Sequence, residues 1–235
     1  MIYMIYISFF SFLVEEYFNI CYYKFGEFMK KLFFLIVILI LFTGCRSTDS
    51  IMFKTEYESL NSNSSYTKVS IASDNPFVYV SDTKLAELVE NKEDLVVLFG
   101  YSKSNDTRNI IENIIKISKD LGIDTIYYLD ILDIRNELAT ENGSVITTKE
   151  GSDSYDKILE LLGDVAEDYI VDGNIVGKRI YAPSILVIKD KEIKGIVNGK
   201  SYLESDEERE KDSYNQILEH LKKYSSNTCS VDSAC

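Results

Sequence analysis

The residues best suited to chemistry in this chain of 235 residues are its four cysteines and its single histidine. Cysteine thiolates act as nucleophiles, redox partners or metal ligands, and histidine serves acid–base catalysis and metal binding. One histidine excludes multi-histidine metal sites, and His220 falls in a helical pattern where we expect a packing or solvated side chain. The chemistry therefore depends on what surrounds Cys21, Cys45, Cys229 and Cys235.

Cys45 follows a segment that has the order of a secretory signal. Met29-Lys30-Lys31 is positively charged, Leu32–Phe42 is an unbroken apolar run, and Thr43-Gly44 places a small residue before the cysteine. The segment resembles the lipobox of bacterial lipoproteins, in which the cysteine receives diacylglycerol and becomes the first residue after cleavage. The resemblance implies a signal peptide over 29–44 and a lipid anchor on Cys45 at the extracytoplasmic face of the cell membrane. An ordinary membrane anchor with an incidental cysteine is the alternative.

Residues 1–28 do not fit this organisation, because a signal peptide begins near the N-terminus of its chain. Another apolar stretch, Met1–Val14, precedes the charged start at Met29. We therefore interpret residues 1–28 as a mis-assigned upstream extension, with Met29 as the true start. On this hypothesis Cys21 is absent from the cellular protein.

The chain is acidic, with 38 Asp and Glu residues against 25 Lys and Arg residues and a net charge of −13. Nucleic acid is therefore a poor candidate partner, because phosphate binding requires clustered cations. An acidic surface is also repelled by anionic lipids, so the lipid on Cys45 has to supply membrane attachment. We expect neither a metal nor another cofactor.

Composition divides the rest of the chain into three parts. Residues 45–68 are polar, include Asn61-Ser62-Asn63-Ser64-Ser65 and lack a periodic pattern, which predicts a flexible tether. Hydrophobic patterning then predicts one folded domain over 69–225. Residues 226–235 form a short tail with two cysteines.

The first half of the domain predicts alternating strands and helices. Strands are expected at Phe77–Val80, Leu95–Phe99 and Thr125–Ile131, and the second is an unbroken apolar run typical of a strand buried on both faces. Helical periodicity separates the strands, and Gly122 is suited to end the second helix. This alternation favours a parallel α/β unit.

The second half predicts a different order of elements. Asp133–Ser154 is a long polar stretch, followed by a helix that includes Tyr155–Leu162. Ser184–Ile188 and Glu192–Val197 are predicted to form an antiparallel hairpin. An amphipathic helix through Tyr214–Leu221 comes last.

Parallel strands followed by an antiparallel hairpin and a last helix resemble the thioredoxin-like fold. Leu98–Arg108 is similar to the strand, loop and helix start that carry the Cys-x-x-Cys of thioredoxins, and Lys178–Asp190 is similar to the cis-proline loop and its strand. Both segments are most similar to the bacteriocin transport accessory proteins of Gram-positive bacteria, over about Phe77 to Leu221. The resemblance implies an α/β fold with a central mixed sheet flanked by helices.

The resemblance places Ser104 and Thr107 where thioredoxins carry their redox cysteines. Thiol–disulfide exchange requires a thiolate, which a helix N-terminus stabilises for cysteine but cannot generate from a serine hydroxyl. Hydrolytic use of Ser104 would require a general base, and no histidine is near it in sequence. We therefore expect Ser104 and Thr107 to be helix caps, and no catalytic residue is assigned.

Ala182 and Pro183 correspond to the cis-proline loop. In this fold the residue before the proline offers its backbone to an extended peptide, which is strand addition on a small scale. The sequence leaves two interpretations open: a peptide groove that survives loss of the cysteines, or a proline that only shapes the turn.

Cys229 and Cys235 are close in sequence, in a protein expected to be exported to an oxidising compartment. The simplest interpretation is a disulfide, worth roughly 2 kcal/mol if the tail docks. A catalytic pair is the sharper alternative, although Asp232 and the terminal carboxylate disfavour a thiolate there. Metal binding or intermolecular pairing also remains open, but two thiols are too few for a closed zinc site.

Two function classes follow from these residues. The first is a lipid-anchored extracytoplasmic binding or accessory module that holds an extended peptide or an exported protein. The second is a thiol–disulfide oxidoreductase that uses Cys229 and Cys235. The residues at Ser104 and Thr107 favour the first class, and the Pro183 loop keeps the second open. A third class, the substrate-binding lipoproteins, usually needs a larger two-lobed body.

Overall fold

The computed structural model describes residues 48–225. The predictions for residues 1–44, Cys45, Cys229 and Cys235 lie outside that part of the chain. The helices are α1 (residues 48–59), α2 (Asp82–Glu90), α3 (Asn105–Leu121), α4 (Asp153–Leu162) and α5 (Asp206–Ser225). The strands are β1 (Phe77–Tyr79), β2 (Leu95–Gly100), β3 (Ile126–Asp130), β4 (Glu137–Glu141), β5 (Ser144–Lys149), β6 (Glu167–Val171), β7 (Asn174–Arg179), β8 (Ser184–Lys189) and β9 (Glu192–Val197).

Five of the strands form one mixed sheet in the order β1-β3-β2-β8-β9. β1, β2 and β3 run parallel, whereas β8 is antiparallel to β2 and to β9. The predicted strands Leu95–Phe99, Thr125–Ile131 and Ser184–Ile188 are neighbours in this sheet, because Val97 pairs with Tyr127 on one side and with Leu186 on the other. The predicted β8–β9 hairpin is also confirmed. The chain is thus an α/β protein with a mixed central sheet and helices.

The sheet is covered on both faces, as the apolar run of β2 predicts. Val96 and Leu98 belong to a core shared with α1, α3 and α5, whereas Val97 and Phe99 belong to a core shared with α2 and α4. Alternate side chains of a strand point to opposite faces, so a strand buried on both sides is apolar at every position. No helix within residues 48–225 is both long and apolar enough to cross a membrane.

Two hairpins outside the central sheet were missing from the sequence prediction. The β4–β5 hairpin occupies most of the stretch predicted as polar loop, and the β6–β7 hairpin precedes the proline loop. Their turns are Asn142-Gly143 and Asp172-Gly173, and all four residues have positive φ angles. Asn-Gly and Asp-Gly are the strongest short-range hairpin signals, so these turns were readable from the sequence.

The predicted flexible tether over 45–68 is wrong for the part that the structure describes. Residues 48–59 are helical, and the side chains of Phe53 and Tyr57 have no solvent exposure. The ring centroid of Phe53 lies 4.1 Å from that of Phe77 and 4.9 Å from that of Tyr128. The domain therefore includes α1 and does not begin at residue 69.

Hydrogen bonds fix α1 against the sheet in addition to this packing. The Tyr57 hydroxyl donates to the Tyr128 hydroxyl at 3.1 Å, and the Tyr79 hydroxyl donates to Glu56. Burial raises the pKa of Tyr57 and Tyr128 above the ordinary value, so both phenols stay protonated. Beyond α1, the Asn61 side chain pairs with the backbone of Val69 in both directions, at 2.8 and 3.0 Å.

Candidate functional site

The candidate site lies at the edge of the sheet where β2 ends and β8 begins. Phe99 is in register with Ser184, so the loop after β2 and the proline loop before β8 share this edge. The peptide bond between Ala182 and Pro183 is cis, as predicted. Pro183 is buried and Ala182 is half-buried. The structure thus brings together the two segments that the sequence singled out.

Ser104 caps the N-terminus of α3. Its Oγ atom accepts a hydrogen bond from the backbone N–H of Thr107 at 3.2 Å, and its own backbone is extended. This is the geometry of an N-cap, so the predicted cap is confirmed for Ser104. The residue is 8% exposed, and its hydroxyl is already engaged as the cap. Nothing in this arrangement activates it as a nucleophile.

Thr107 does not cap the helix with its side chain, and that prediction is wrong. The residue has no solvent exposure, and among the described residues its Oγ1 atom has no hydrogen-bond partner. It packs so closely on Gly100 that a Cβ atom added there would lie 2.7 Å from Thr107 Cγ2. The side chain points into the domain because it lies on the buried face of the first turn of α3. Gly100 is thus required by close approach to Thr107.

Arg108 ties the loop of Ser104 to the N-terminal segment. Nη1 donates to the carbonyl oxygens of Tyr57 at 2.9 Å and Ser102 at 3.2 Å, and Nη2 donates to Asn61 Oδ1 at 2.8 Å. Nε donates to the carbonyl of Thr67. The residue is 1% exposed, and no carboxylate among residues 48–225 forms an ion pair with it. This role of Arg108 could not be predicted from the sequence, because the acceptors are backbone carbonyls and an amide from distant segments.

The two hairpins contribute an aromatic and cationic network beside the proline loop. The Arg179 guanidinium lies 4.1 Å from the centroid of the Tyr169 ring and 5.9 Å from that of Tyr181. Glu137 lies 3.5 Å from both Arg179 and Arg135, so one carboxylate joins the two arginines. These residues hold the hairpins together at the edge. Because these residues are far apart in the sequence, no local sequence pattern indicates that they form a network.

An exposed apolar pair lies in the segment that joins β9 to α5. Tyr202 is 82% exposed and Leu203 is 47% exposed. The segment is held near the start of α3, because Lys200 forms an ion pair with Asp106 at 2.7 Å. Tyr202 and Leu203 therefore offer apolar surface near the N-terminus of α3, where Ser104 is the cap.

His220 is a packing residue, as expected from the sequence, and takes no part in this edge. The ring is 5% exposed on α5, and its Nε2 atom has no hydrogen-bond partner within residues 48–225. Burial, together with the nearby charge of Lys223, lowers the pKa of His220 to about 4. The ring is therefore neutral at pH 7.

We expect His220 to make the domain sensitive to acid. Between pH 6.5 and about 4 the unfolded chain binds a proton at this ring and the folded chain does not, so stability falls as the pH falls through this window. The loss attributable to His220 is at most about 3 kcal/mol. Urea unfolding at pH 7 and pH 4.5 should show a smaller pH effect in His220→Leu than in the parent. An equal pH effect in both proteins would contradict a buried neutral ring.

The described residues offer few other side chains that could hold a cofactor. Within residues 48–225, no cluster of three or more His, Cys, Asp or Glu side chains is arranged to hold a metal ion. Comparisons of the chain with protein-family models, with curated proteins and with solved structures gave no match.

Proposed function

We propose that this chain is a thioredoxin-like, lipid-anchored protein of the extracytoplasmic membrane face that binds an extended peptide or exported protein without redox chemistry at Ser104 and Thr107. The observation that carries the proposal is the shared edge, where the cis Ala182–Pro183 bond precedes an antiparallel strand beside the N-terminus of α3. The strand order β1-β3-β2-β8-β9 further supports a thioredoxin-like topology. A bacteriocin or export accessory role is the functional context that the sequence resemblance suggests.

The side chains at this edge are suited to binding and not to electron transfer. Disulfide exchange requires a thiolate, but the hydroxyl of Ser104 is occupied by its cap and that of Thr107 is buried. Peptide binding by strand addition requires only backbone groups, which the half-buried Ala182 can offer. The exposed Tyr202 and Leu203 add apolar surface for side chains of the peptide.

The location depends on Cys45, outside the described residues. A lipid on this cysteine would hold the acidic domain at the membrane. The Ser104 edge contains no cysteine. The competing oxidoreductase function would therefore have to use Cys229 and Cys235. A single assay distinguishes the two functions.

Restoring the cysteines should restore redox chemistry at this edge. Ser104→Cys with Thr107→Cys, in a background where Cys229 and Cys235 are Ser, should reduce a peptide disulfide at least about tenfold faster than the same background without the new pair, because a helix N-terminus raises the thiolate fraction. Thr107→Cys fits the site, because cysteine is no larger than threonine. The assay follows dithiothreitol-driven reduction of a fluorogenic peptide disulfide, whose turnover requires the peptide to dock at the same edge.

The parent protein supplies the control for the competing function. We expect no activity from the parent or from its Cys229→Ser, Cys235→Ser variant. Parent activity that vanishes in that variant would move catalysis to the tail and defeat the binding-module proposal. A folded restored variant with two titratable thiols but no activity would contradict the thioredoxin-like alignment.

A further inference from the structure

We infer that the exposed side of α1 is a lipid-contacting surface that lies on the bilayer beside Cys45 and holds the domain in one orientation. This inference rests on the lipid anchor of the proposed function. It concerns a surface that the peptide-binding edge does not use. The contact chemistry is that of a lipid interface: a few inserted apolar side chains flanked by uncharged polar ones.

The exposed residues of α1 form one stripe without charge. Positions three and four apart on a helix lie on the same side, and the stripe follows this spacing. Its members are Thr48, Ile51, Met52, Thr55 and Ser59. Ile51 and Met52 are each 52% exposed, although both are large apolar side chains. An apolar pair at the centre of an uncharged stripe is suited to a lipid interface and not to bulk water.

The charged residues of α1 flank the stripe and are less exposed than its members. Asp49, Lys54, Glu56 and Glu58 are all half-buried. Lys54 forms an ion pair with Glu58, and Glu56 accepts a hydrogen bond from Tyr79. In a chain with a net charge of −13, none of the most exposed positions of α1 carries a carboxylate that would repel a membrane.

The short connection between Cys45 and α1 identifies the bilayer as the partner that contacts the stripe. Thr48 follows Cys45 by three residues, so the two Cα atoms are at most about 11 Å apart. Ile51 lies about one helical turn further along, roughly 5 Å. Because Phe53 and Tyr57 fix α1 to the core, a lipid on Cys45 brings this stripe, and the domain with it, to the membrane surface.

The orientation of α1 also determines where the peptide-binding edge points. The Ser50 hydroxyl donates to the carbonyl of Asn75, which precedes β1, so the start of α1 lies at the edge where the parallel strands begin. Ser104 lies at the opposite edge, where β2 ends. The end of α1 lies beside the loop of Ser104, because Arg108 donates to the carbonyl oxygens of both Tyr57 and Ser102. α1 therefore runs along the strands, and contact of its stripe with lipid directs the peptide-binding edge sideways, along the bilayer surface.

Depth-dependent quenching tests the inference on the full, lipidated chain. The protein is purified from membranes with Cys229 and Cys235 changed to Ser, and is labelled with a fluorophore at Thr55→Cys or at Lys84→Cys, an exposed position on the helix that covers the opposite face of the sheet. It is then reconstituted into phosphatidylcholine vesicles that contain a doxyl-lipid quencher. We expect quenching of the label at position 55 and none at position 84. The double variant Ile51→Asn, Met52→Asn should lower the ratio of membrane-docked to undocked domain about tenfold.

A matched variant and a mass measurement separate the outcomes. Ile170→Asn with Ile175→Asn changes an equally exposed apolar pair, at 56% and 65%, and should leave quenching at position 55 unaltered. Acylated Cys45 without quenching at position 55 overturns the inference and leaves the anchor standing. A chain whose Cys45 is unacylated and that is not retained by membranes would contradict the lipid anchor itself. Protection of the label from aqueous iodide without doxyl quenching would assign the stripe to a second protein copy and overturn the inference.

Discussion

A chain that begins at residue 69 is expected to lose most of the stability of the domain, whereas a chain that begins at residue 48 keeps it. The shorter chain lacks Phe53 and Tyr57, both without solvent exposure in the core. Loss of one large buried aromatic side chain costs about 3–5 kcal/mol, and whole domains are stable by only about 5–15 kcal/mol. Urea unfolding followed by circular dichroism should therefore show no cooperative transition, or one at a much lower midpoint.

Point variants on α1 make the same comparison without truncation. Phe53→Ala should lower the unfolding free energy by about 3–5 kcal/mol. Thr55→Ala changes an exposed residue on the same helix and should alter it by less than about 0.5 kcal/mol. Equal unfolding midpoints for the chains that begin at residues 48 and 69 would restore the tether hypothesis.

Arg108→Met should destabilise the domain by roughly 3–5 kcal/mol and release the N-terminal segment. The change keeps an apolar stem but removes the donors to Tyr57, Thr67, Asn61 and Ser102. Buried acceptors that lose a charged donor each cost about 1–3 kcal/mol, and water entering the opened segment recovers a part. Urea unfolding measures the loss, and hydrogen exchange should show faster exchange over residues 57–69.

Two further substitutions show whether the buried donors cause this loss. Arg108→Lys keeps the charge but not the planar set of donors, so its loss should be intermediate. Arg209→Met removes an exposed arginine whose ion pair with Asp206 is on the surface, and should cost less than about 1 kcal/mol. An Arg108→Met variant as stable as Arg209→Met would show that the N-terminal segment is held by α1 packing alone.

The central sheet was predictable because its signals are local. The run Leu95–Phe99 is apolar at every position, as expected for a strand that is covered on both faces. Gly122 ends α3 in the left-handed conformation that glycine favours, and Ser104 begins the helix as its cap. The cis bond at Pro183 followed from the resemblance of its flanking residues, and not from the physics of proline alone.

The candidate site was predictable in position but not in detail. Ser104 and Pro183 share one edge, as the sequence indicated, because the parallel strands end where β8 begins. The inward position of Thr107 was missed, since its spacing from Ser104 is compatible with a cap and with a core side chain. Arg135 and Arg179 both contact Glu137, and Glu137 and Arg179 lie on hairpins that had not been predicted from the sequence.

The sequence by itself determined the local elements of this protein: the buried strands, the helix that Ser104 starts, the β8–β9 hairpin and the cysteine-free edge. Tertiary structure alone decided that α1 belongs to the core. The polar composition of this segment resembles that of a linker, and only two of its apolar side chains, Phe53 and Tyr57, enter the core. Its stability comes from Phe77, Tyr128 and Arg108, which are distant in sequence. The exposed Ile51 and Met52 add apolar residues outside the buried face, so the segment lacks the clean amphipathic pattern of a packed helix, and composition could not distinguish it from a tether.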